Sequence, residues 1–380
     1  MTICFLWQFH EDWPNSTSVF RHKKLKMSMS TLPQIDISSF LKDPGSDESI
    51  LESKKVTQAL IDYGCLVVKD PRVSEVSNQE FLDLLEKYYG QGHDQVMKDA
   101  RPEVGYQVGV TPPATEEPRC KRDPTCQNII ANIEAAERPL ESDGPDPKWR
   151  YAWRIGNEGS NEKLRLLSHE QVVPKGFPGW ENIMNNWGNS LHQTVATLSE
   201  MAAIGFGLPK STFIDMITNS SHLLAPTGSD LSRYNKAGTI LAGFHYDLCF
   251  MTIHGKSRFP GLNIWAKGNK NKVQAKVPDG YLLVQAGMQL QWVTGGVINA
   301  GYHEVIVTEA TVEAIERAKN NNQSLWRISS TLFNHIRSDL EMKPLDQLAS
   351  YPGFDSKPYP SVLAHDYVMD SLSGINLFSE

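Results

Sequence analysis

Two histidines and one aspartate are spaced so that they can bind a metal ion. His245 and Asp247 are two residues apart in the part of the chain that is rich in short strand-like segments. Residues i and i+2 of a strand project to the same face, about 6–7 Å apart, so both side chains can reach one ion. His303, on a later strand-like segment, is the best third ligand. Two histidines and one carboxylate leave coordination positions open, as in the non-haem Fe(II) oxygenases.

The spacing of the first pair is weakly specific by itself, because a chain with 11 histidines contains about one such pair by chance. His10 and Asp12 form a second copy, but no strand pattern surrounds them, so we do not interpret them as ligands. His254 and His335 also lie in the strand-rich part, where a hydrogen bond to the backbone is the usual role of a lone histidine. The same alternative applies to His303 when it is considered alone.

Arg327 and Ser329 form a second pattern, which indicates anion binding. Alternation places the guanidinium and the hydroxyl on one face of a strand, where arginine can bind a carboxylate through two hydrogen bonds and serine can add one. Arg72 and Ser74 repeat the pattern outside the strand-rich part, so the order of the motifs carries the interpretation. Tyr234 can donate a phenol hydrogen bond to the same anion, and a half-buried strand tyrosine is the alternative.

The composition excludes several classes of protein. The 380-residue chain has 37 basic and 44 acidic residues, a net charge of −7 and a pI of about 5.9, which argues against a general nucleic-acid-binding protein. No apolar run approaches the roughly 20 residues of a membrane helix, and no secretory signal is recognisable. The five cysteines are scattered without a CxxC pair, which favours free thiols in a reducing compartment. We therefore expect a cytoplasmic protein with neither a nucleic-acid nor a membrane partner.

The hydrophobic pattern changes from helical in the first half of the chain to strand-like in the second. Residues 1–30 lack periodicity and are expected to form a disordered tail, whereas 49–63, 78–99 and 180–207 have helical spacing. The proline-rich stretch 101–148 is predicted to be irregular. Short strands are predicted at 238–241, 249–253, 261–265, 281–284, 290–293, 303–307 and 326–333. Helices followed by strands predict an α+β chain around one β core, with the longest helix supporting the sheet.

In this order, the motifs resemble those of the 2-oxoglutarate- and iron-dependent dioxygenases, in the branch that includes isopenicillin N synthase. The resemblance covers roughly residues 32–340. The matching segments are Leu32-Pro33-Gln34-Ile35-Asp36-Ile37, Ala59-Leu60-Ile61-Asp62-Tyr63-Gly64, Ala203-Ile204-Gly205-Phe206-Gly207-Leu208-Pro209, Gly243-Phe244-His245-Tyr246-Asp247, Pro260-Gly261-Leu262-Asn263-Ile264, Val293-Thr294-Gly295-Gly296, Tyr302-His303-Glu304-Val305 and Arg327-Ile328-Ser329.

The resemblance implies a double-stranded β-helix, a distorted jelly roll with flanking helices and the metal at one open end. It also implies three regions after the tail. These are a helical and loop region over 31–175, a dioxygenase β core with its supporting helix over 176–340, and a C-terminal extension over 341–380.

The implied activity is the oxidation of a C–H bond in a small organic molecule by an enzyme that binds Fe(II). 2-Oxoglutarate and O2 would be consumed as co-substrates, and succinate and CO2 would be released. Fe(II) would be bound by His245, Asp247 and His303, and the far carboxylate of 2-oxoglutarate by Arg327 and Ser329, with Tyr234 as a further contact. Substrate contacts are expected above the metal, although core packing is the alternative for each aromatic residue. They are Tyr106, Gln107, Arg154, Phe244 and Trp292.

The chain departs from the family pattern in three places. Gly287-Met288 replaces the usual glycine–aspartate step, which affects a turn rather than the metal. Tyr234 is followed by asparagine instead of proline. Arg327 comes later after His303 than in plant relatives, and the additional residues form a helix-like insertion over 309–321 that can loop out without disturbing either strand.

Three alternatives remain open at this stage. In an oxidase of the isopenicillin N synthase type, the arginine and serine would bind the carboxylate of the substrate itself, without 2-oxoglutarate. A non-catalytic β-roll binding protein would have lost its metal, whereas this chain retains all three candidate ligands. A zinc hydrolase would suit the ligands but lacks an evident general base such as that of HExxH. The sequence determines neither the substrate nor the oligomeric state.

Overall fold

A computed structural model describes residues 32–156, 169–266 and 272–373, so the predicted tail, 1–30, lies outside the described residues. The strands are β1 (Gln34–Asp36), β2 (Cys65–Lys69), β3 (Gly109–Thr111), β4 (Trp149–Gly156), β5 (Ser221–Leu224), β6 (Thr227–Asp230), β7 (Ile240–His245), β8 (Met251–His254), β9 (Leu262–Trp265), β10 (Lys272–Gln274), β11 (Leu282–Ala286), β12 (Tyr302–Ile306), β13 (Trp326–Ser329), β14 (Leu332–Asn334), β15 (Glu341–Met342) and β16 (Val362–Leu363). The helices are α1 (Ser38–Lys42), α2 (Asp47–Tyr63), α3 (Glu75–Tyr89), α4 (His93–Val96), α5 (Pro124–Asn132), α6 (Trp180–Gly205), α7 (Ser211–Ile217), α8 (Met288–Val293), α9 (Glu309–Asn320) and α10 (Ala364–Ser373).

Two largely antiparallel sheets form the β core. The larger sheet has the strand order β1-β2-β11-β8-β14-β5-β4-β6-β13, with β3 paired to β4, and the smaller sheet has the order β10-β9-β12-β7. A two-stranded sheet joins β15 to β16. The strands β1, β2 and β4 come from the region that precedes α6, so that region and the strand-rich half share one sheet. The architecture is mixed α/β with large antiparallel sheets, as the α+β prediction required.

The long helix α6 supports the larger sheet, as predicted for 180–207. Its apolar residues recur every three or four positions, and Trp180, Trp187 and Leu198 are almost fully buried. The helix contacts α2 on one side and β4, β8 and β14 on the other. Each large apolar side chain buried in this way contributes about 1.5–3 kcal/mol to folding. The helix therefore supports three strands of the larger sheet, β4, β8 and β14.

The helix α2 ends where the sequence predicts. Ser46 caps its first turn by accepting a hydrogen bond from the Ser49 amide. At its other end, Gly64 has a left-handed conformation with φ 65°, and its amide donates to the carbonyl of Leu60. A Cβ atom at Gly64 would lie 2.9 Å from the carbonyl oxygen of Asn299. Glycine therefore allows the chain to turn directly from helix into β2.

Two of the predicted elements differ from the structure. The apolar run 290–293 was expected to be a strand but lies in the helix α8, where Leu290 and Val293 are buried one turn apart. Periodicity cannot separate strand from helix over so few residues. The stretch 101–148 contains β3 and α5 in addition to turns. By contrast, the insertion predicted over 309–321 is helical: it forms α9, which begins with a capping box between Thr308 and Thr311.

The prediction that the cysteines are free thiols is wrong for one pair. Cys120 and Cys126 form a disulfide, because a short turn and the start of α5 bring their Cα atoms to 5.0 Å. Cys65 and Cys249 are free and buried. Disulfides persist mainly in oxidising compartments. The cysteines therefore no longer support the cytoplasmic location, which stays a prediction from the other features. Among the described residues, no helix is long and apolar enough to cross a bilayer.

Replacing Gly64 with alanine is expected to lower the free energy of unfolding by more than ~2 kcal/mol. The left-handed backbone alone costs an alanine about 1–2 kcal/mol, and the contact with the Asn299 carbonyl adds to that cost. Gly207 is the matched control, because its φ is 73° but a Cβ there would meet nothing within 4 Å. Urea unfolding should show a larger loss for Gly64→Ala than for Gly207→Ala. Equal losses would contradict the steric part of the explanation.

Candidate metal centre and its cavity

The two candidate histidine ligands are direct cross-strand neighbours. His303 on β12 lies opposite His245 on β7, and their ring centroids are 4.2 Å apart. Opposite residues of antiparallel strands project from the same face of the sheet. Asp247 follows the end of β7, and its Oδ1 lies 3.8 Å from His245 Nε2 and 3.9 Å from His303 Nε2. One ligand atom from each residue lies within 4.8 Å of the others, so all three can bind one ion.

Backbone hydrogen bonds orient both imidazoles. Nδ1 of His245 donates to the carbonyl of Gly243 at 2.6 Å, and Nδ1 of His303 donates to that of Gly301 at 3.0 Å. With the proton on Nδ1, the lone pair is on Nε2, the atom near Asp247. Burial, together with the neighbouring His245, lowers the pKa of His303 to about 4. At neutral pH this imidazole is therefore uncharged and able to bind a cation.

Thr252 fixes the carboxylate of Asp247. Its hydroxyl donates to Asp247 Oδ2 at 2.6 Å, while Oδ1 is the oxygen near the two histidines. Asp247 is only 6% exposed, so this hydrogen bond is shielded from water. Thr252 belongs to β8 of the larger sheet, whereas both histidines belong to the smaller sheet. The candidate metal site therefore joins the two sheets.

Arg327 and Ser329 project from one face of β13 into a cavity that also contains the three candidate metal ligands. The Nε of Arg327 donates to the carbonyl of Pro260 at 3.3 Å, and no carboxylate of the described residues pairs with its guanidinium. Burial lowers the pKa of Arg327 to about 10, which still leaves it charged at neutral pH. A buried cation is costly unless an anion binds it. The position is therefore suited to an anionic ligand.

A cavity of about 550 Å³ contains the three candidate ligands and the arginine–serine pair. Both sheets and several loops contribute to its walls. His254 and His335 line it too, and burial lowers the pKa of both, to about 4 for His335. These two histidines are therefore uncharged at neutral pH and do not compete with Arg327 for an anion.

Four ionised side chains form one part of the cavity lining, which we call the charged wall: Glu116, Asp146, Lys148 and Arg150. The Lys148 ammonium contacts Asp146 and lies 3.2 Å from Glu116 Oε2. Arg150 Nε lies 2.8 Å from Glu116 Oε1. Burial raises the pKa of Glu116, but Arg150 and Lys148 outweigh that effect and hold the pKa below its usual value. Glu116 therefore stays ionised at neutral pH, and despite burial the neighbouring acids raise the pKa of Lys148.

Of the three predicted substrate contacts in the first half of the chain, one lines the cavity and two do not. Gln107 lines the cavity. Its neighbour Tyr106 lies in a tight turn with a left-handed φ of 56° and is not among the described lining residues. Arg154 lies on β4 but also does not line the cavity, whereas Arg150 on the same strand does.

The two predicted aromatic contacts lie in apolar clusters instead. Phe244 is next to His245, so strand alternation turns it to the opposite face, where its ring packs 4.9 Å from that of Trp265. The indole N–H of Trp292 donates to the carbonyl of Pro360 at 3.0 Å. Neither residue is among those that line the cavity. For both, the core-packing alternative describes the structure.

Tyr234 does not share the described cavity lining with Arg327 and Ser329, the pair that we call the clamp. It packs against a cluster that includes Leu231, Leu241 and Val307, and the guanidinium of Arg233 lies 5.6 Å from its ring centre. It is absent from the described residues that line the cavity. The structure therefore offers no support for a hydrogen bond from this phenol to the co-substrate.

Sequence reasoning did not find Glu116, Asp146 and Lys148 of the charged wall or the contribution of α10, whereas Arg150 and Arg154 could both be considered as contacts for an acidic substrate, with an exposed charged loop as the alternative. Val368 and Leu372 on α10 line the cavity, although they lie in the predicted C-terminal extension. Alternation along β4 puts Arg150 and Arg154 on one face, but sequence alone cannot tell which of the two lines the cavity. The pairing of Glu116 with Arg150 joins a loop to a strand, and no local pattern encodes it.

Comparisons with known proteins identify the fold. No family model and no curated protein matches the chain. Among solved structures, it is similar to a protein from Caulobacter crescentus assigned to the 2OG-Fe(II) oxygenase family, with a TM-score of 0.69, 18% identity, and coverage of 90% of this chain and 99% of that one. It is also similar to a full-length protein of Neurospora crassa that was solved in complex with alpha-KG and thymine (TM-score 0.67, 18% identity, 91% and 98% coverage).

A third similar structure is the dioxygenase for auxin oxidation of rice, with a TM-score of 0.59, 14% identity, and coverage of 90% of this chain and 95% of that one. All three alignments span nearly the whole of both chains. At identities this low, the structural similarity establishes a shared fold and nothing further. The chain has the fold of the 2-oxoglutarate- and Fe(II)-dependent oxygenases.

Removing one metal ligand is expected to weaken Fe(II) binding strongly, and disturbing its support should weaken it less. Asp247→Ala should reduce affinity by at least ~100-fold, whereas Thr252→Val, which only loses the hydrogen bond to the carboxylate, should cost about 10-fold. Thr252→Ser keeps the hydroxyl and serves as the matched control. Anaerobic equilibrium dialysis with Fe(II) measures all three. Wild-type affinity in Thr252→Val would show that this hydrogen bond does not hold the carboxylate.

Proposed function

We propose that the protein is an Fe(II)- and 2-oxoglutarate-dependent dioxygenase that oxidises a C–H bond of a small organic molecule. The observation that carries this proposal is one cavity in which His245, Asp247 and His303 converge beside a buried Arg327 that has no carboxylate partner among the described residues. A metal triad alone fits several chemistries, and a buried arginine alone fits many anions. Together they match a co-substrate with a carboxylate at each end.

The donor set fits ferrous iron. Two imidazole nitrogens and one carboxylate oxygen form a three-residue site, and this set leaves room on the metal for further ligands. Both imidazoles have their Nε2 lone pairs oriented by backbone hydrogen bonds, which removes the need for rearrangement when the metal binds. When bound, the iron supplies the redox chemistry that couples 2-oxoglutarate decarboxylation to oxidation of the substrate.

The protein residues perform the remaining tasks. Arg327 and Ser329 would bind the far carboxylate of 2-oxoglutarate and thereby orient the keto acid towards the triad. Thr252 holds the aspartate in one orientation. The apolar residues of the cavity limit the access of water to the reacting atoms. Release of succinate and CO2 is expected for every substrate molecule oxidised.

The finer features of the resemblance fit this proposal. Two antiparallel sheets that both contribute to one cavity are what a double-stranded β-helix would provide. An oxidase of the isopenicillin N synthase type is the second candidate, because Arg327 would then bind the carboxylate of the substrate itself. Succinate formed in proportion to substrate oxidation distinguishes the two. Product formation without 2-oxoglutarate would favour the oxidase.

Loss of the Arg327 guanidinium is expected to weaken 2-oxoglutarate binding and to leave iron binding nearly unchanged. Arg327→Met removes charged hydrogen bonds worth about 1.5–3 kcal/mol each, so an affinity loss of roughly 10- to 100-fold or more is expected. Anaerobic titration of the Fe(II)-loaded protein with 2-oxoglutarate, followed by the visible metal-to-ligand charge-transfer band, measures this loss.

The control for this titration is Arg317→Met, which removes an arginine that is 67% exposed on α9. It should bind 2-oxoglutarate like the wild type. Equal 2-oxoglutarate affinity in Arg327→Met and wild type would contradict the role of the clamp. A wild type that binds Fe(II) but develops no band with 2-oxoglutarate would contradict the proposed function.

A further inference from the structure

We propose that Arg150 binds an anionic group of the substrate, so that the substrate is a small organic acid with an apolar body. This inference rests on the proposed function, because it assigns the part of the cavity that iron and 2-oxoglutarate do not use. Arg150 is separate from the clamp in sequence and lies on a different strand.

The sheet register places Arg150 on the same face as the clamp. On β6, Thr227 is paired with Arg150 of β4 on one side and with Ser329 of β13 on the other. The three side chains therefore form one row across three strands, and all of them line the cavity. Neighbouring strands are about 4.8 Å apart, so the backbones of Arg150 and Ser329 are separated by about 10 Å. That distance separates two anion sites within one cavity.

The guanidinium of Arg150 is held at one edge only. Its Nε lies 2.8 Å from Glu116 Oε1, and its side chain is 12% exposed. Within the described ranges, neither of its two Nη nitrogens forms a hydrogen bond, although the residue lines the cavity. Glu116 therefore orients the arginine without occupying its terminal donors. A planar pair of such donors matches a carboxylate.

Both acids of the charged wall are already paired with cations of the same wall. Glu116 uses one oxygen for Arg150 and the other for Lys148. Asp146 accepts the Gly243 amide at 2.9 Å with Oδ1 and contacts Lys148 with Oδ2. Since both acids are neutralised by these cations, the Arg150 guanidinium is the charged group of the wall that we assign to a ligand. Donors select an acceptor group, and a carboxylate satisfies them best.

Apolar surface lies beside these donors. Leu223 and Phe333 line the cavity in a cluster with Ala152, which is two residues beyond Arg150 on the same face of β4. Val368 and Leu372 of α10 add a further apolar lining. A ligand with a charged head and a hydrocarbon body is complementary to both surfaces. The cavity volume of about 550 Å³ is within the range of small-molecule sites.

The test uses acids and the amides of the same shape. Protein loaded anaerobically with Fe(II) and 2-oxoglutarate is titrated with octanoate, 3-phenylpropionate and the two corresponding primary amides, and binding is measured by calorimetry and by changes in the charge-transfer band. The acids should bind at least ~10-fold more tightly than the amides. Acids that bind no better than amides, or that do not bind, would overturn the proposal.

Variants at position 150 assign the effect to the arginine. Arg150→Met should lose at least ~10-fold in acid affinity while its 2-oxoglutarate affinity stays at the wild-type value, and Arg150→Lys should retain part of the acid binding. Because Arg150→Met leaves Glu116 without one partner, the double variant Glu116→Gln, Arg150→Met provides a second measurement with the buried acid neutralised, and the same loss is expected. Arg317→Met is again the surface control.

The outcomes separate this inference from the proposed function. A normal charge-transfer band with unchanged acid affinity in both Arg150 variants would overturn the assignment of Arg150 and leave the dioxygenase proposal standing. Absence of the band in the wild type would instead refute the dioxygenase proposal. Loss of the band in an Arg150 variant would show that Arg150 serves the co-substrate, and the substrate assignment would again be overturned.

Discussion

The pairing of β12 with β7 is the constraint on which the candidate site depends. It sets His303 directly against His245, so two residues that are distant in sequence become adjacent donors on one sheet face. A slip of one residue in this register would turn His303 to the opposite face and remove it from the site. Asp247 then needs only to follow the end of β7, and Thr252 from the other sheet fixes its orientation. The geometry of the candidate metal site therefore depends first on strand register.

The distribution of charge in the cavity follows a second constraint. Buried ionised groups are costly unless they are paired. Most of those in the cavity are paired, as in the charged wall, where each acid contacts a cation. Arg327 is the contrasting case, since burial lowers its pKa and no carboxylate compensates it among the described residues. Arg327 is thus a desolvated cation suited to an anionic ligand, and the charged wall contains a second arginine whose Nη nitrogens form no hydrogen bond with the described residues.

The sequence allowed much of this arrangement to be predicted, because the relevant residues follow local rules. Alternation paired His245 with Asp247 and Arg327 with Ser329, and glycine marked the end of α2. What local rules could not supply were tertiary contacts. The environment of Trp292 depends on a carbonyl 68 residues away, and the salt bridge from Glu116 to Arg150 joins a loop to a strand. The disulfide was missed for a similar reason, because turn geometry rather than cysteine spacing brings the two residues together.

The helix α10 gives the cavity a wall that none of the sheets provides. It places Val368 and Leu372 at the cavity while forming no part of the strand ladders that hold the metal ligands or the clamp. Changes in these two side chains would alter the shape of the cavity without changing the candidate metal ligands, Arg327 or Ser329. The shape of the cavity can therefore vary through α10 independently of the strand register that brings His245 and His303 together.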